Sequence, residues 1–285
     1  MTSLAAPSVR VRGLAKSYQG VRAVNQVDLD IEPGEVFALL GPNGAGKTTT
    51  VEILEGYRHR DGGEVTVLGE DPQRSSRGWR ARIGIVLQLA SDAPELTVRE
   101  MVHHFACFYP RPRPPDEVIE LVGLEAKARS RIHQLSGGQQ RRLDVALGIV
   151  GNPELLFLDE PTTGFDPEAR RQFWELIRRL RSGGVTVLLT THYLEEAEAL
   201  ADRVAIIAGG DIVATGTPAD IGGRAAAEAT VTWQDSGGTQ ALRTSTPTQA
   251  VADLAARYGG EVPGLTVTRP SLEDVYLELT GAGRD

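Results

Sequence analysis

The sequence predicts an α/β fold: a mixed sheet with helices, a helical subdomain set into it, and a small α+β unit at the C-terminal end. Three observations carry this prediction. Residues 36–40, 155–158 and 185–189 are apolar runs, interrupted only by Thr186, as parallel strands buried on both faces are. A charged amphipathic stretch over 167–180 lies between the last two runs, giving a strand–helix–strand pattern. Residues 97–149 carry helical periodicity throughout, with a proline-rich break at 110–115.

In chain order, residues 8–12 and 23–31 read as strands separated by a turn near Gly20. The apolar run at 36–40 leads into a glycine-rich loop and a helix from about Lys47 to Gly56. Strands follow at 64–68, between Gly63 and Gly69, and at 84–88, ending on Gln88. After the helical stretch and the strand–helix–strand unit, helix resumes at 194–199, then strands at 204–207 and 212–215. The segment 216–223 reads as the end of the main domain, which spans 1–220 with its helical subdomain at about 95–150. Residues 222–285 then form the small unit, with strands at 229–233, 241–244 and 265–269 and helices at 248–258 and 271–279. Ser271 after Pro270 is the candidate N-cap of the last helix, and Asp274 makes its first turn acidic.

Composition bounds the function. The 285 residues suit one large and one small domain, and 41% hydrophobic content is ordinary for a globular chain. A net charge of −8 argues against a free nucleic-acid binder, and no nucleic-acid partner is expected. The pairs Arg111/Arg113 and Arg129/Arg131 read as solvated faces. The single Cys107 allows no internal disulfide and, in its apolar setting, is expected to be a buried small hydrophobe. No run of 18 apolar residues occurs, and the first residues do not read as a secretory signal. If the protein serves a membrane, the spanning part is expected to be another polypeptide.

Gly41-Pro-Asn-Gly-Ala-Gly-Lys47-Thr48 matches the P-loop spacing, with a strand before it and a helix after it. Glycines let backbone N–H groups approach phosphate oxygens, and the helix start adds its dipole. The nucleotide-binding set read here is Gly41, Asn43, Gly44, Ala45, Gly46, Lys47, Thr48 and Thr49. Lys47 is placed to reach the β- and γ-phosphates of ATP, and the Thr48 hydroxyl to reach Mg²⁺. The run at 155–158 closes on Asp159-Glu160. A strand ending in Asp159 can hold Mg²⁺ through water, and Glu160 is placed to orient the attacking water. The main domain is therefore read as a P-loop NTPase core.

Leu135-Ser136-Gly137-Gly138-Gln139, followed by Gln140-Arg141-Arg142, resembles the signature of ATP-binding cassette (ABC) ATPases. The resemblance covers roughly residues 8–220 and implies an ABC helical subdomain. It implies that Ser136, Gly137, Gly138 and Gln139 meet ATP held by the P-loop of a second copy, the first three at its γ-phosphate. The copies would then pack head to tail around two ATP molecules. A serine hydroxyl and glycine N–H groups at a helix start are suited to an anion. By the same resemblance, Tyr18 is the aromatic that stacks on adenine. Gln88 senses Mg²⁺ and the attacking water at the junction with the helical subdomain. His192 contacts the γ-phosphate, and Asp166 belongs to the loop crossing the dimer interface. Phe165 stands where the family more often has leucine.

The leading expectation is an ATPase peripheral to the cytoplasmic face of a membrane, driving a separate multi-pass permease. That permease would dock near Gln88 and residues 96–109. The tail Ser271-Leu-Glu-Asp-Val-Tyr-Leu-Glu-Leu-Thr280-Gly281 is similar to that of daunorubicin-type drug exporter ATPases, which implies export of a drug, antibiotic or lipid-like compound. A seam-filling role for Leu272, Val275 and Leu279 is compatible with any cargo. The rival class is a soluble ABC-type ATPase remodelling a protein or nucleoprotein assembly. Against it stand one cassette instead of two and the lack of a long heptad run. An iron–sulfur assembly ATPase is a further alternative, made less attractive by the tail.

Overall fold

A computed structural model describes residues 6–86 and 95–281. It runs β1 (Val9–Tyr18), β2 (Val21–Ile31), β3 (Val36–Leu40), α1 (Lys47–Leu54), β4 (Gly62–Val67), α2 (Arg77–Arg80), β5 (Ile83–Val86), α3 (Val98–Ala106) and α4 (Pro115–Leu121). It continues through α5 (Gly137–Ile149), β6 (Leu155–Asp159), α6 (Pro167–Ser182), β7 (Thr186–Thr191), α7 (Leu194–Leu200), β8 (Arg203–Ala208) and β9 (Asp211–Gly216). Then come β10 (Ala229–Asp235), β11 (Gly238–Thr244), α8 (Pro247–Tyr258), β12 (Thr266–Thr268) and α9 (Leu272–Thr280).

The central sheet has six strands in the order β5-β6-β7-β3-β8-β9. All its pairs are parallel except β8–β9. The apolar runs become intelligible here, because each strand feeds two cores with alternate residues. Phe37, Leu39, Leu155, Phe157 and Leu188 face the antiparallel β2-β1-β4 sheet. Val36, Ala38, Leu40, Leu156, Leu158, Val187 and Leu189 face the helices. Truncating a side chain such as Phe157 to alanine would cost about 3–5 kcal/mol.

Helix starts follow local chemistry. Thr97 and Glu100 cap α3 reciprocally, Asp166 with Pro167 opens α6, and arginines close α6 against its dipole. Ser271 caps α9 as expected, and Asp274 does more than acidify the turn: its carboxylate accepts the Ser271 N–H at 2.7 Å, completing a capping box.

Several expectations change. β1 is longer than 8–12 because register shifts after Val11, Leu14 and Lys16 break the period-2 pattern. Tyr18 therefore ends a strand instead of sitting in a loop. Helix α2 had no periodic signal, being one turn that buries Trp79, whose Nε1 donates to the Val67 carbonyl at 2.8 Å. Cys107 is exposed. The buried stripe of α3 is Val98, Met101, Val102 and Ala106, and Cys107 follows it on the side of His103 and His104. The C-terminal unit has strands at the three expected places, paired in the order β11-β10-β12, with α8 and a core around Val231 and Leu254. Its last helix does not pack there: Leu272 belongs to the main core, as does Ile221 before Gly222. Among the described residues, no helix is long and apolar enough to cross a membrane.

Candidate functional site

The P-loop joins β3 to α1 and is braced from outside. Ala45 N–H donates to Pro42 O, Gly210 N–H to Ala45 O, and Asn25 N–H to Gly210 O. A Cβ on Gly46, at φ +106°, would lie 2.3 Å from the Ala23 carbonyl oxygen, and one on Gly41 would lie 2.3 Å from the Ile207 carbonyl oxygen. The N-cap of α1 is Gly46 itself, with no side-chain cap, so the first-turn N–H groups carry no competing anion.

Beside this helix start lies a cavity of about 230 Å³. Asn43, Gly44, Gly46, Lys47, Thr48 and Thr49 line it together with Asp159, Glu160 and Ala23. Lys47 is only 7% exposed, and its Nζ donates to the carbonyls of Gly41 at 2.7 Å and Pro42 at 3.1 Å. Burial lowers its pKa, opposed by the negative charges of Glu160 and Asp159. Ala45 is buried and does not line the cavity. Its role is the brace to Gly210.

β6 delivers the two acids, and β7 beside it orients them. Asp159 Oδ1 accepts from the Thr190 hydroxyl. Glu160 N–H donates to the Thr190 carbonyl at 3.0 Å, and Glu160 sits at φ +42°. That conformation costs a non-glycine residue roughly 1–3 kcal/mol and recurs at functional sites. Glu160 Oε1 lies 3.2 Å from His192 Nδ1. A carboxylate can only accept, so a proton on Nδ1 would favour this contact and leave Nε2 as the other ring nitrogen; His192 itself does not line the cavity.

The signature residues lie elsewhere. Ser136 Oγ accepts from Gln139 N–H at 3.3 Å, and Gln139 Oε1 accepts from Ser136 N–H at 3.1 Å. The pair is a capping box for α5, with the serine O–H free to donate. Ser136, Gly137, Gly138, Gln139 and Asp166 share an open cleft of about 480 Å³. Asp166 is also the N-cap of α6, accepting from Ala169 N–H at 2.7 Å. Phe165 packs edge-on against Phe173 at 5.8 Å, so the ring at this position is anchored in its own chain.

The chain thus brings Lys47, Thr48, Asp159, Glu160 and His192 together and holds Ser136–Gln139 with Asp166 apart. The two cavities share no lining residue. Tyr18 stands outside both, 37% exposed, with Lys16 Nζ 5.4 Å and Arg58 Cζ 5.3 Å from its ring centre. Gln88 lies outside the described residues.

Residue reasoning missed Arg141. Its Nη2 donates to Asp159 O at 2.8 Å and its Nε to Pro161 O at 3.0 Å, tying the signature helix to the acid-bearing turn. Burial lowers its pKa despite Asp144, Asp159 and Glu196. The available signal was a cation one turn into a helix and three residues before an acid. Thr190 was missed too, although a hydroxyl ending an apolar strand is a hint.

Comparison with known proteins places this geometry. A family model described as ABC transporter matches residues 24–163. The daunorubicin resistance ATP-binding protein of Streptomyces coeruleorubidus is 36% identical, with 99% of this chain and 98% of that protein covered. The Nod factor export ATP-binding protein I of Rhizobium etli is 37% identical over 94% of this chain and 92% of its own. A solved dimeric ATP-binding cassette in a post-hydrolysis state, bound to ADP and Pi, superposes with TM-score 0.66 at 26% identity, covering 73% of this chain and 98% of that one.

Proposed function

From the premise that the chain belongs to the ABC transporter family and is an ATPase, we propose that it powers a separate membrane permease as one half of a head-to-tail dimer. The observation that carries the dimer is the split site. A triphosphate seated at Lys47 would leave its γ end facing out of a cavity to which this chain's own signature residues contribute nothing. A second copy would supply Ser136, Gly137 and Gly138 as donors. The solved dimeric relative supports this arrangement.

In the proposed reaction Lys47 and the partner's signature N–H groups offset γ-phosphate charge. Glu160 accepts from the attacking water, and His192 Nε2 faces the transferring phosphoryl, its ring held by the Glu160 contact. Thr48 and Asp159 are hard oxygen donors on one cavity, which suits Mg²⁺. When bound, that ion would neutralise phosphate charge.

Export is supported by the relatives named for daunorubicin resistance and Nod factor export, which match 99% and 94% of the chain. A drug, antibiotic or lipid-like cargo follows, and with it a peripheral place on the cytoplasmic face. The docking surface we assign is the groove between α2 and the end of α3, formed by Arg77, Arg80, Cys107, Phe108 and Tyr109. Phe108 is 68% exposed there, between basic flanks, which fits an amphipathic, acid-flanked helix from a permease. The test is capture of tagged protein from solubilised membranes of its own host. A stoichiometric multi-pass protein, lost with Phe108→Asp, is the expected result. Recovery with soluble assemblies alone would overturn the permease reading and leave the ATPase intact.

A further inference from the structure

Behind the two catalytic loops lies a buried polar cluster that the reaction above does not use. Glu196 on α7 is 0% exposed. Its carboxylate faces the hydroxyls of Thr191 and Thr162 and the indole N–H of Trp174, with Arg170 close enough to act on it electrostatically. Yet neither Glu196 oxygen, nor Thr162 Oγ1, Trp174 Nε1 or Arg170 Nε, makes a hydrogen bond of ordinary geometry. Such groups are normally paired when buried. Gathering them unpaired in one place is costly, and the cost is relieved by any small closure of the cluster that lets them bond.

The location gives the closure a meaning. Thr162 follows Glu160 by one residue's gap, in the turn that leads to Asp166. Thr191 immediately precedes His192, and its Oγ1 accepts the Tyr193 N–H at 3.0 Å. Arg170 stacks on Tyr193, with Cζ 4.7 Å from the ring centre. One carboxylate is therefore the common neighbour of the turn behind the attacking-water acid and the strand end behind the γ-phosphate histidine. We propose that Glu196 is a positioning residue, bonding to Thr162 and Thr191 so that Glu160 and His192 are held in the relative placement hydrolysis requires. It touches neither ATP nor water. Burial raises the Glu196 pKa, and the facing hydroxyl and indole groups oppose the rise. This matches a carboxyl whose partners are at hand and not fully engaged.

The inference rests on the roles given to Glu160 and His192, so the test separates the two. Steady-state ATP hydrolysis, nucleotide affinity and thermal unfolding are measured on full-length wild type, Glu160→Gln, Glu196→Gln and Thr162→Val. If Glu160→Gln hydrolyses at the wild-type rate, the site reading itself fails. With that control inactive, Glu196→Gln is expected to lower kcat about 10-fold, leaving KM and affinity within about 2-fold and Tm equal or higher. Arg170 keeps Glu195 at 3.8 Å, so the change strands no cation, and glutamine keeps the shape while turning one acceptor oxygen into a donor; a merely structural glutamate would not give that split. Unchanged kcat per folded molecule would overturn the proposal. Thr162→Val removes one hydroxyl at nearly constant shape and guards against misfolding of the first variant. It is expected to lower kcat in the same way, with the double variant no worse than the poorer single. Wild-type kcat, or fully additive losses, would count against the cluster acting as a unit.

Discussion

The P-loop and the signature segment are both glycine-rich helix starts, yet their glycines are there for different reasons. Gly46 and Gly41 are crowded by this chain: backbone carbonyls of Ala23 and Ile207 would lie 2.3 Å from an added Cβ. Around Gly137 nothing lies within 4 Å of such an atom, and at Gly138 only Ala169 Cβ approaches, at 3.7 Å. The helix after the P-loop has no side-chain cap, whereas the signature helix is capped by its own Ser136 and Gln139. The first site is thus built by the fold and left open to anions. The second is self-sufficient as structure, and its bare glycines leave room for the outside partner proposed above.

The largest effect that would sharpen this contrast is chemical. Glu160→Gln should leave both halves folded and lower hydrolysis about 100- to 1,000-fold. Retained turnover in a phosphate-release assay would break the site assignment. Next, Lys47→Ala removes a buried cation facing the P-loop cavity and should weaken ATP binding about 10- to 100-fold by calorimetry. Unchanged affinity would contradict its role.

The glycines themselves come third. Gly46→Ala should destabilise the fold by more than about 2 kcal/mol in denaturant unfolding, through backbone strain and the clash with Ala23. Gly138→Ala should stay within about 0.5 kcal/mol of wild type and still lose hydrolysis. Equal stability losses at the two positions would erase the distinction. The smallest effect concerns the link between the halves. Burial raises the pKa of Asp144, beside Arg141, from 3.8 to about 6. The fold thus favours its protonated form, and that stabilisation is present below pH 3.8 and lost as pH rises through about 6. Asp144→Asn should remove this dependence, so wild-type stability relative to the variant falls across that window. A constant difference in Tm over the window would contradict the burial account.

The sequence was most legible where one constraint acts alone. Double-sided burial made β3, β6 and β7 visible as apolar runs, and phosphate geometry made the residues from Gly41 to Thr48 visible as a spacing. Legibility failed where distant parts of the chain decide. The bulges in β1 scrambled the alternation and hid the strand that carries Tyr18. Trp79 earns a one-turn helix only because the Val67 carbonyl awaits its indole. Cys107 is exposed despite its apolar neighbours in sequence, because they say little about a helix face one residue past the buried stripe. Leu272, read as part of a separate unit, packs into the main core. In the site, the acids and Lys47 were readable from type and position. Arg141, Thr190 and Glu196 were not, since each acts through groups on other elements of the fold.

The central claim is that one chain holds half of each hydrolytic site. Its most direct test is the solution mass of Glu160→Gln with ATP and Mg²⁺, alone and combined with Gly138→Ala, by multi-angle light scattering. The account predicts twice the 30.6 kDa chain mass for the single variant and a return to 30.6 kDa for the double. A single variant that stays monomeric with ATP bound, or a dimer indifferent to the change at Gly138, would contradict it.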